Sequence, residues 1–328
     1  MGSLSDQARR CLLTVHAHPD DESSKGPATV ARYHAAGVRT VLVCCTGGEA
    51  GDILNPAMDR PEVRADLAAI RRRELEAAVR VIGYDELVWL GYRDSGMPGT
   101  PGNADPRCFA QADLGEAVGR LVAVLRRERP QVVVTYPEDQ RGYPHPDHLR
   151  VHEVTMAAVE AAADPEAYPE AGRPWQVAKV YASGFSGRRV LALHEKFLEL
   201  GLESPFDERW LERARTPQPP PTTQVDVRAF SLVRREALLA HRTQVDPTSR
   251  WWFGLPPEVE AEAYPVDEYW LLRVAPGWTA PLPAPLGPGP VEDDLFAGVG
   301  TEEDPICSGA APKATAPSGT GPRGHRNG

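Results

Sequence analysis

Lysine, long apolar runs and paired cysteines are all scarce in this sequence. Only four of its 36 basic residues are lysines, and the net charge is −10. No stretch approaches the roughly 18 consecutive apolar residues that a membrane-spanning helix needs, and the chain does not open on the apolar segment of a signal peptide. The five cysteines are an odd number without CxxC spacing. We therefore predict a cytoplasmic protein with reduced cysteines and no membrane partner.

What is missing also excludes two classes of ligand. Binding to a phosphate backbone needs clustered lysine and arginine, whereas here 46 acidic residues outnumber 36 basic ones, so we predict no nucleic-acid partner. The turn after the first predicted strand has no GxGxxG, so a nicotinamide cofactor is not expected. The sequence leaves the oligomeric state open, a homo-oligomer included.

Apolar, strand-like runs alternate with helical segments in the first half of the chain. The predicted strands are 11–16, 38–45, 86–90 and 131–136, and the predicted helices are 25–36, 62–82, 114–128 and 151–163. Strands that alternate with helices favour a parallel sheet. The sequence therefore predicts an α/β fold with a Rossmann-like, mostly parallel sheet flanked by helices.

The chain changes character after residue 163. The pattern there predicts strands at 177–183, 223–227 and 269–274, helices at 190–200 and 230–241, and a proline-rich connector at 216–222. We expect a metal-binding catalytic core at 1–165 and a smaller C-terminal α/β portion of the same domain, which completes the substrate pocket, at 166–275. Residues 276–328 are expected to form a Pro/Gly-rich extension, largely disordered after about residue 302.

Two His-Pro-Asp segments carry the functional signal, and each follows a predicted strand. They are His18-Pro19-Asp20-Asp21 and His145-Pro146-Asp147-His148. A hydrolytic zinc site uses about three nitrogen or oxygen ligands, keeps one position open for water, and needs a separate carboxylate to take the proton of that water. Taken singly, an Asp-Asp pair is more often a helix N-cap and a histidine more often a satisfied polar residue. Together, the two segments predict a catalytic metal site.

These segments and several others resemble the PIG-L/LmbE-type zinc-dependent N-deacetylase family. The matching stretches are AHPDDESSKG at 17–26, TGGE at 46–49, GDILNPAMD at 51–59, DSG at 94–96, GYPHPDH at 142–148, HRTQ at 241–244 and EDDLF at 292–296. The resemblance covers about residues 11–299. Together with the chemistry of the two segments, it implies that His18, Asp21 and His148 bind Zn²⁺, although the same donors also suit Fe²⁺.

The resemblance also implies the catalytic roles of the remaining motif residues. Asp20 would take the proton of the attacking water, and Tyr143 would help to stabilise the oxyanion. His145, as imidazolium or general acid, would stabilise charge and protonate the leaving amine. Asp147 would orient one of the histidines from outside the ligand set.

Six further residues are expected to contact the substrate, which the resemblance implies is a small-molecule thiol–sugar conjugate. They are Lys25, Glu49, Arg71, Asp94, His241 and Gln244. The scissile bond would be the amide between glucosaminyl-inositol and an acylated, S-substituted cysteine, and a mercapturic acid would leave. Lys25 favours this amidase branch, because the related N-acetylglucosaminyl-inositol deacetylases generally lack the Ser-Lys-Gly pattern of residues 24–26.

Other interpretations stay open. The same chemistry could serve a natural-product (antibiotic) pathway on a thiol-linked intermediate, or deacetylate N-acetylglucosaminyl-inositol. In a different class, the chain could be a catalytically silent sugar-binding protein. The aromatic run Trp251-Trp252-Phe253 could line an apolar substrate pocket, with core or subunit-interface packing as the alternative.

Overall fold

One seven-stranded sheet runs through the protein. In this computed structural model, the structure describes residues 9–140, 143–278 and 292–299. The strands within these ranges are β1 (Cys11–His16), β2 (Arg39–Thr46), β3 (Glu86–Tyr92), β4 (Val132–Thr135), β5 (Lys179–Gly184), β6 (Thr223–Asp226) and β7 (Val266–Val274).

The strand order is β3-β2-β1-β4-β5-β7-β6. Strands β1 to β5 run parallel; in the register, Leu12 lies opposite Thr40 on one side and Val132 on the other. Strand β7 is antiparallel to β5, and β6 is antiparallel to β7. The predicted α/β fold with a mostly parallel sheet is therefore confirmed. Because the chain winds outward in opposite directions from β1 and β4, a crevice opens at the carboxyl ends of these two strands.

Helices cover both faces of the sheet. They are α1 (Asp21–Ser24), α2 (Pro27–Ala35), α3 (Pro61–Ala65), α4 (Leu67–Ile82), α5 (Leu114–Glu128), α6 (Pro146–Ala163), α7 (Gly187–Glu199), α8 (Glu208–Arg215), α9 (Ser231–Ala240), α10 (Arg250–Phe253) and α11 (Pro257–Ala263). Leu13 packs in one apolar cluster with α5 and α6, and its neighbour Leu12 packs in the other with α2, α4 and α9. Every residue of β1 and β4 is buried, as expected for strands covered on both faces.

Helix α6 carries part of the predicted site, and both of its ends are fixed. His145 is the N-cap and Pro146 opens the first turn, so His148 lies inside the helix rather than before it. At the other end, the Arg126 guanidinium donates to several backbone carbonyls, among them those of Ala162 (3.2 Å) and Asp164 (2.7 Å). A cation is favourable at a helix carboxyl end, so Arg126 stabilises the position of α6.

One helix predicted as continuous is interrupted, because the segment 62–82 divides at Asp66. The helix predicted at 25–36 is continuous but begins at Pro27, after Gly26 with its left-handed φ of 80°. The sequence pattern also fails to predict α8, α10 and α11. These helices have four to eight residues and bury few side chains, so they give too short a periodic signal.

The C-terminal portion completes the same sheet. Residues 292–299 pack against it with Leu295, Phe296 and Val299 buried, and Glu292 accepts hydrogen bonds from Lys179 Nζ (2.6 Å) and the Tyr181 hydroxyl (2.7 Å). The disorder predicted after residue 302 lies outside the described residues, and the domain division at residue 165 stays a prediction. Within the described ranges, no helix is both long and apolar enough to cross a membrane.

Candidate active site

The predicted site residues converge at the crevice between β1 and β4. The loop after β1 brings His18, Asp20 and Asp21, and the amino end of α6 brings His145 and His148. We call these five residues the catalytic edge. The loops after β2 and β3 bring Glu49 and Asp94 to the same end of the sheet, because parallel strands end on one side.

Two imidazole nitrogens and one carboxylate meet in a geometry that fits a metal ion. His18 Nδ1 and His148 Nε2 each lie 3.4 Å from Asp21 Oδ2, and the three side chains are buried. Their candidate ligand atoms all lie within 4.8 Å of one another. A mixed nitrogen and oxygen donor set of three suits a catalytic zinc or iron(II) ion that keeps an open position.

Asp147 contacts the His18 ring at Nε2, the nitrogen that does not face Asp21, and so orients the ring. His18 Nε2 lies 3.1 Å from Asp147 Oδ2, and that carboxylate is itself held by the backbone N–H (2.9 Å) and the hydroxyl of Ser95. Burial would lower the pKa of His18, but hydrogen bonds to Asp147, Asp21 and Asp94 raise it well above its usual range. A carboxylate behind a ligating histidine fixes the ring and its tautomer, which is the role predicted for Asp147.

A second group of potential ligands overlaps the first. Donor atoms of His18, Asp94, His145 and Asp147 also lie within 4.8 Å of one another. The Asp147 carboxylate is already occupied by both Ser95 donors, and Asp94 accepts from the backbone N–H groups of Ala50 (3.2 Å) and Gly96 (2.8 Å). Asp21 has partners as well, since it accepts from the His18 backbone N–H (2.9 Å) and from Lys25 Nζ, so hydrogen bonding does not decide between the two sets. The choice of His18, Asp21 and His148 follows from the resemblance to the PIG-L/LmbE-type family and stays a prediction.

Asp20 stands beside the metal set in a strained backbone conformation. Its φ is 109°, which non-glycine residues rarely adopt and which often marks functional sites. Burial raises the pKa of its carboxyl, and the positive charge of Arg71 opposes that rise. About 30% of the side chain remains exposed, so solvent can reach it. A carboxylate with a raised pKa and access to water is suited to general-base work.

Two predicted substrate contacts instead hold the Asp20 loop. Arg71 is 3% exposed, donates to the carbonyls of Pro19 and Gly48, and contacts Asp20 Oδ2 at 3.1 Å. His241 is fully buried, and its Nε2 lies 2.7 Å from Glu22 Oε1. Since neither side chain is accessible, the structure supports a positioning role for both, in place of the expected contact with substrate.

His145 and Tyr143 lie on the outer side of the site. His145 Nδ1 accepts a hydrogen bond from the backbone N–H of Asp147 (3.2 Å), so the proton of the neutral ring is on Nε2. Burial, with the positive charge of His18, lowers the pKa of His145 to about 4. The neutral donor is thus favoured over the imidazolium considered from the sequence. Tyr143 is 57% exposed, with its ring centroid 5.9 Å from that of His145.

The other four predicted contacts differ in accessibility. Lys25 Nζ donates to Asp21 Oδ1, and its side chain is partly exposed. Glu49 is half-buried and accepts from the backbone N–H of Asp94 (3.3 Å), which lies next to His18. Gln244 is largely buried and donates to the Asp52 carbonyl (3.1 Å). Lys25 and Glu49 therefore remain the better placed for substrate, whereas Asp94 is buried like Gln244.

Three residues of the site were not among the predicted ones. Tyr136 stacks on His148, with ring centroids 4.5 Å apart, and Ser95 and Glu22 fix Asp147 and His241 as described. Ser95 and Glu22 both lie inside the matched motifs, and Tyr136 directly follows β4. A polar residue at the carboxyl end of a strand beside the crevice is the signal that could have identified it.

Comparison with known proteins assigns the family. The sequence pattern of PIG-L, described as GlcNAc-PI de-N-acetylase, matches residues 13–159. A Streptomyces coelicolor protein named mycothiol S-conjugate amidase is 44% identical over 305 residues, which cover 90% of this chain and 99% of that protein. This chain belongs to the PIG-L family.

Other PIG-L relatives are deacetylases. One from Geodermatophilus obscurus, named 1D-myo-inositol 2-acetamido-2-deoxy-alpha-D-glucopyranoside deacetylase, is 42% identical over 88% of this chain and 98% of its own. The solved N,N'-diacetylchitobiose deacetylase of Pyrococcus horikoshii has the same fold, with a TM-score of 0.53 at 20% identity over 80% of this chain and 84% of that one. As a PIG-L protein with a buried His/Asp/His cluster, this chain is a metal-dependent enzyme that hydrolyses amides, which confirms the predicted enzyme class.

Proposed function

We propose that the enzyme cleaves mycothiol S-conjugates at the amide between glucosaminyl-inositol and the acylated cysteine, and thereby releases a mercapturic acid in thiol detoxification. The observation that carries the proposal is the 44% identity to the Streptomyces coelicolor amidase over nearly the full length of both chains. The substrate is a small-molecule thiol–sugar conjugate. A cytoplasmic location without nucleic-acid or membrane partners belongs to the same proposal and is supported by the net charge of −10 and the free cysteines.

We further propose that the metal is zinc, held by His18, Asp21 and His148, with iron(II) as the alternative. When bound there, the ion supplies Lewis-acid chemistry that activates water and polarises the amide carbonyl. Metal analysis of protein purified with and without oxygen, together with the rate after reloading with each ion, tests this choice.

The residues around the proposed metal ligands accept the proton of water and donate hydrogen bonds to the charge that develops. Asp20 accepts the proton of the attacking water. Two residues hold Asp20 in place: Arg71 donates to its carboxylate (3.1 Å), and Glu22 Oε2 accepts from its backbone N–H (2.9 Å). The neutral His145 donates a hydrogen bond from Nε2 to the oxygen that gains charge, and the proton that Asp20 has taken from the water goes to the departing nitrogen. The exposed Tyr143 is positioned at the rim, where its hydroxyl can add a second donor to that oxygen.

Lys25 supports the amidase over the deacetylase. Its ammonium group donates to the proposed metal ligand Asp21, and Lys25 also lines a shallow groove that it shares with Phe185. An additional donor at this position fits a substrate with a longer acyl group, because an acetyl group has no further polar atoms to bind. The alternative, deacetylation of N-acetylglucosaminyl-inositol, is favoured by the nearly equal identity of 42% to the Geodermatophilus relative.

A side-by-side measurement of kcat/KM on a mycothiol S-conjugate and on N-acetylglucosaminyl-inositol decides between these activities. We expect a large preference for the conjugate. A preference for the acetylated sugar would make the enzyme a deacetylase. Turnover of neither compound by metal-loaded protein would overturn the proposal and leave natural-product conjugates, or a silent sugar-binding protein, as the remaining alternatives.

A further inference from the structure

A cleft separate from the metal site lies among the helices of the C-terminal portion. It holds about 100 Å³ of accessible space and is open at the mouth, so it has room for one small substituent rather than for a whole substrate. Helices α7 to α11 and the residue after β5 contribute to it. We call it the aromatic cleft, because five rings line it: Phe185, Phe206, Trp210, Trp251 and Trp252.

The rings of the aromatic cleft leave apolar surface uncovered. Trp251 is 37% exposed and Trp210 is 41% exposed, although the two rings pack together with centroids 4.8 Å apart. Phe185, at the entrance, is 45% exposed. Because exposed apolar surface in a concave site is favourable to cover, these rings offer stacking faces to a flat ligand.

The aromatic cleft is also lined by positively charged side chains. Three arginines line the aromatic cleft, Arg189, Arg234 and Arg235, against one carboxylate, Glu260. Glu260 Oε1 is 2.9 Å from Arg189 but 3.9 Å from Arg234, so Arg189 takes its hydrogen bond.

Within the described ranges Arg234 and Arg235 have no hydrogen-bonded carboxylate, and of the two it is Arg234 that lies against rings of the cleft. Its side chain is 15% exposed and, among the described residues, its guanidinium makes no hydrogen bond; it lies 5.0 Å from the Phe185 ring and 5.8 Å from the Trp252 ring. Burial and the neighbouring Arg189 lower its pKa to about 10, so it stays charged at neutral pH. A largely buried cation without a hydrogen-bonded anion is costly, and a ligand anion would relieve that cost.

The aromatic cleft and the catalytic edge have a common neighbour. A shallow groove with only about 10 Å³ of accessible space is lined by Lys25, Gly26, Phe185 and Arg189, and the last two residues also line the cleft. Lys25 in turn bonds the proposed metal ligand Asp21. A substrate whose amide lies at the catalytic edge can therefore extend its acyl side over this shallow groove, from Lys25 towards Phe185.

We infer that the aromatic cleft binds the S-substituent of the conjugate and selects substituents that are aromatic and carry an anionic group. The inference rests on the proposed function, since it assumes that the acyl-cysteine side of the substrate leaves the metal site along the groove. The ring of the substituent stacks on Trp251 and Trp252, and its anion pairs with Arg234. A purely aliphatic or neutral substituent would leave Arg234 without a hydrogen-bonded anion, because Glu260 stays 3.9 Å away.

The test uses three matched mycothiol conjugates, with S-(4-carboxybenzyl), S-(4-carbamoylbenzyl) and S-benzyl groups. We expect the metal-loaded enzyme to prefer the carboxylate over the nearly isosteric amide by about 10-fold or more in kcat/KM, mainly through KM, because the contact is remote from the scissile bond. Arg234→Gln should reduce this ratio towards 1, and Arg234→Lys should keep part of it. Arg228→Gln, an exposed arginine outside the cleft, should leave the ratio unchanged.

The ratio is measured within each variant, so a partly folded variant does not mimic the result. An enzyme that shows no preference for the carboxylate, or a preference that survives Arg234→Gln, would overturn the inference while the amidase function stands.

If no conjugate is hydrolysed, the proposed function fails and the cleft is tested alone, by tryptophan fluorescence with S-(4-carboxybenzyl)-N-acetylcysteine. Quenching that requires Arg234 and exceeds the quenching by the carbamoyl compound supports an anionic aromatic site. Equal quenching by both compounds, or none, overturns it.

Discussion

At the catalytic edge nearly every charged group has a fixed partner, whereas the described part of the aromatic cleft holds Arg234 with no carboxylate closer than 3.9 Å. Asp21 accepts from Lys25 and lies 3.4 Å from two histidines, and Asp20 contacts Arg71 at 3.1 Å. Preorganised polar groups suit chemistry, because they need not rearrange during the reaction. Open aromatic walls suit the recognition of a variable substituent. A change at the catalytic edge should therefore affect every substrate equally, and a change in the cleft should affect only substrates that reach it.

The largest effect is expected from removing a proposed metal ligand. His148→Ala should lose stoichiometric metal and lower kcat/KM by more than about 100-fold on both the S-conjugate and the acetylated sugar, since even changes around a ligand cost ~10–100-fold. Metal analysis and rates on both substrates measure this. His34→Ala, at a half-exposed histidine away from the crevice, is the control and should keep its metal. Full metal content in His148→Ala would remove this residue from the ligand set.

Asp20→Asn should lower kcat by about 10²–10⁴-fold with the metal retained, because the variant loses the general base and no ligand. Asparagine tolerates the left-handed φ of 109° better than most residues, so the loop should keep its conformation. The fall should be equal on the two substrates. Loss of zinc together with the rate would make Asp20 a metal ligand, and loss of zinc without loss of rate would contradict the whole assignment.

Replacing Arg71 should move the acid limb of the pH profile. The carboxyl pKa of Asp20 is raised by burial and held down by the Arg71 charge, so Arg71→Met should raise it further. Because the base acts only when deprotonated, activity would then be lost at a higher pH as the solution is acidified. Arg71→Lys keeps the charge and should move the limb less. Profiles of kcat/KM on both substrates should shift together, and a shift in the opposite direction would contradict the assignment.

The catalytic edge and the aromatic cleft could not be predicted from the sequence equally well, because only the catalytic edge is marked by motifs that follow buried strands. His18, Asp21 and His148 follow buried, apolar strands, and the carboxyl ends of parallel strands meet, so their convergence could be predicted from the pattern and the motifs. The burial of Arg71 and His241 could not be predicted. A polar or charged residue on a helix is usually solvated, and only tertiary packing buries it.

The aromatic cleft left a weaker signal. Its walls come from short helices, with Trp210 on α8 and Trp251 on α10, which the periodicity of the sequence does not reveal. The run at 251–253 was visible, but its partners lie some 40 and 65 residues earlier in the chain, at Trp210 and Phe185. Contacts at such separations are determined by the sheet and the connecting loops rather than by any local pattern.

The smallest expected effect is also the one that best separates the two regions. Trp251→Ala removes a ring that contacts both Trp210 and Phe206, with centroids 4.8 and 5.0 Å away, and an aromatic pair contributes about 0.5–1.5 kcal/mol beyond the area it buries. We expect kcat/KM on the S-benzyl conjugate to fall about 2- to 10-fold relative to the acetylated sugar. Trp89→Ala, on β3 at the far edge of the sheet, should change both rates in the same proportion. If Trp251→Ala lowers both rates equally, the ring stabilises the fold and the cleft takes no part in recognition; an effect on the conjugate alone would make Trp251 a determinant of specificity.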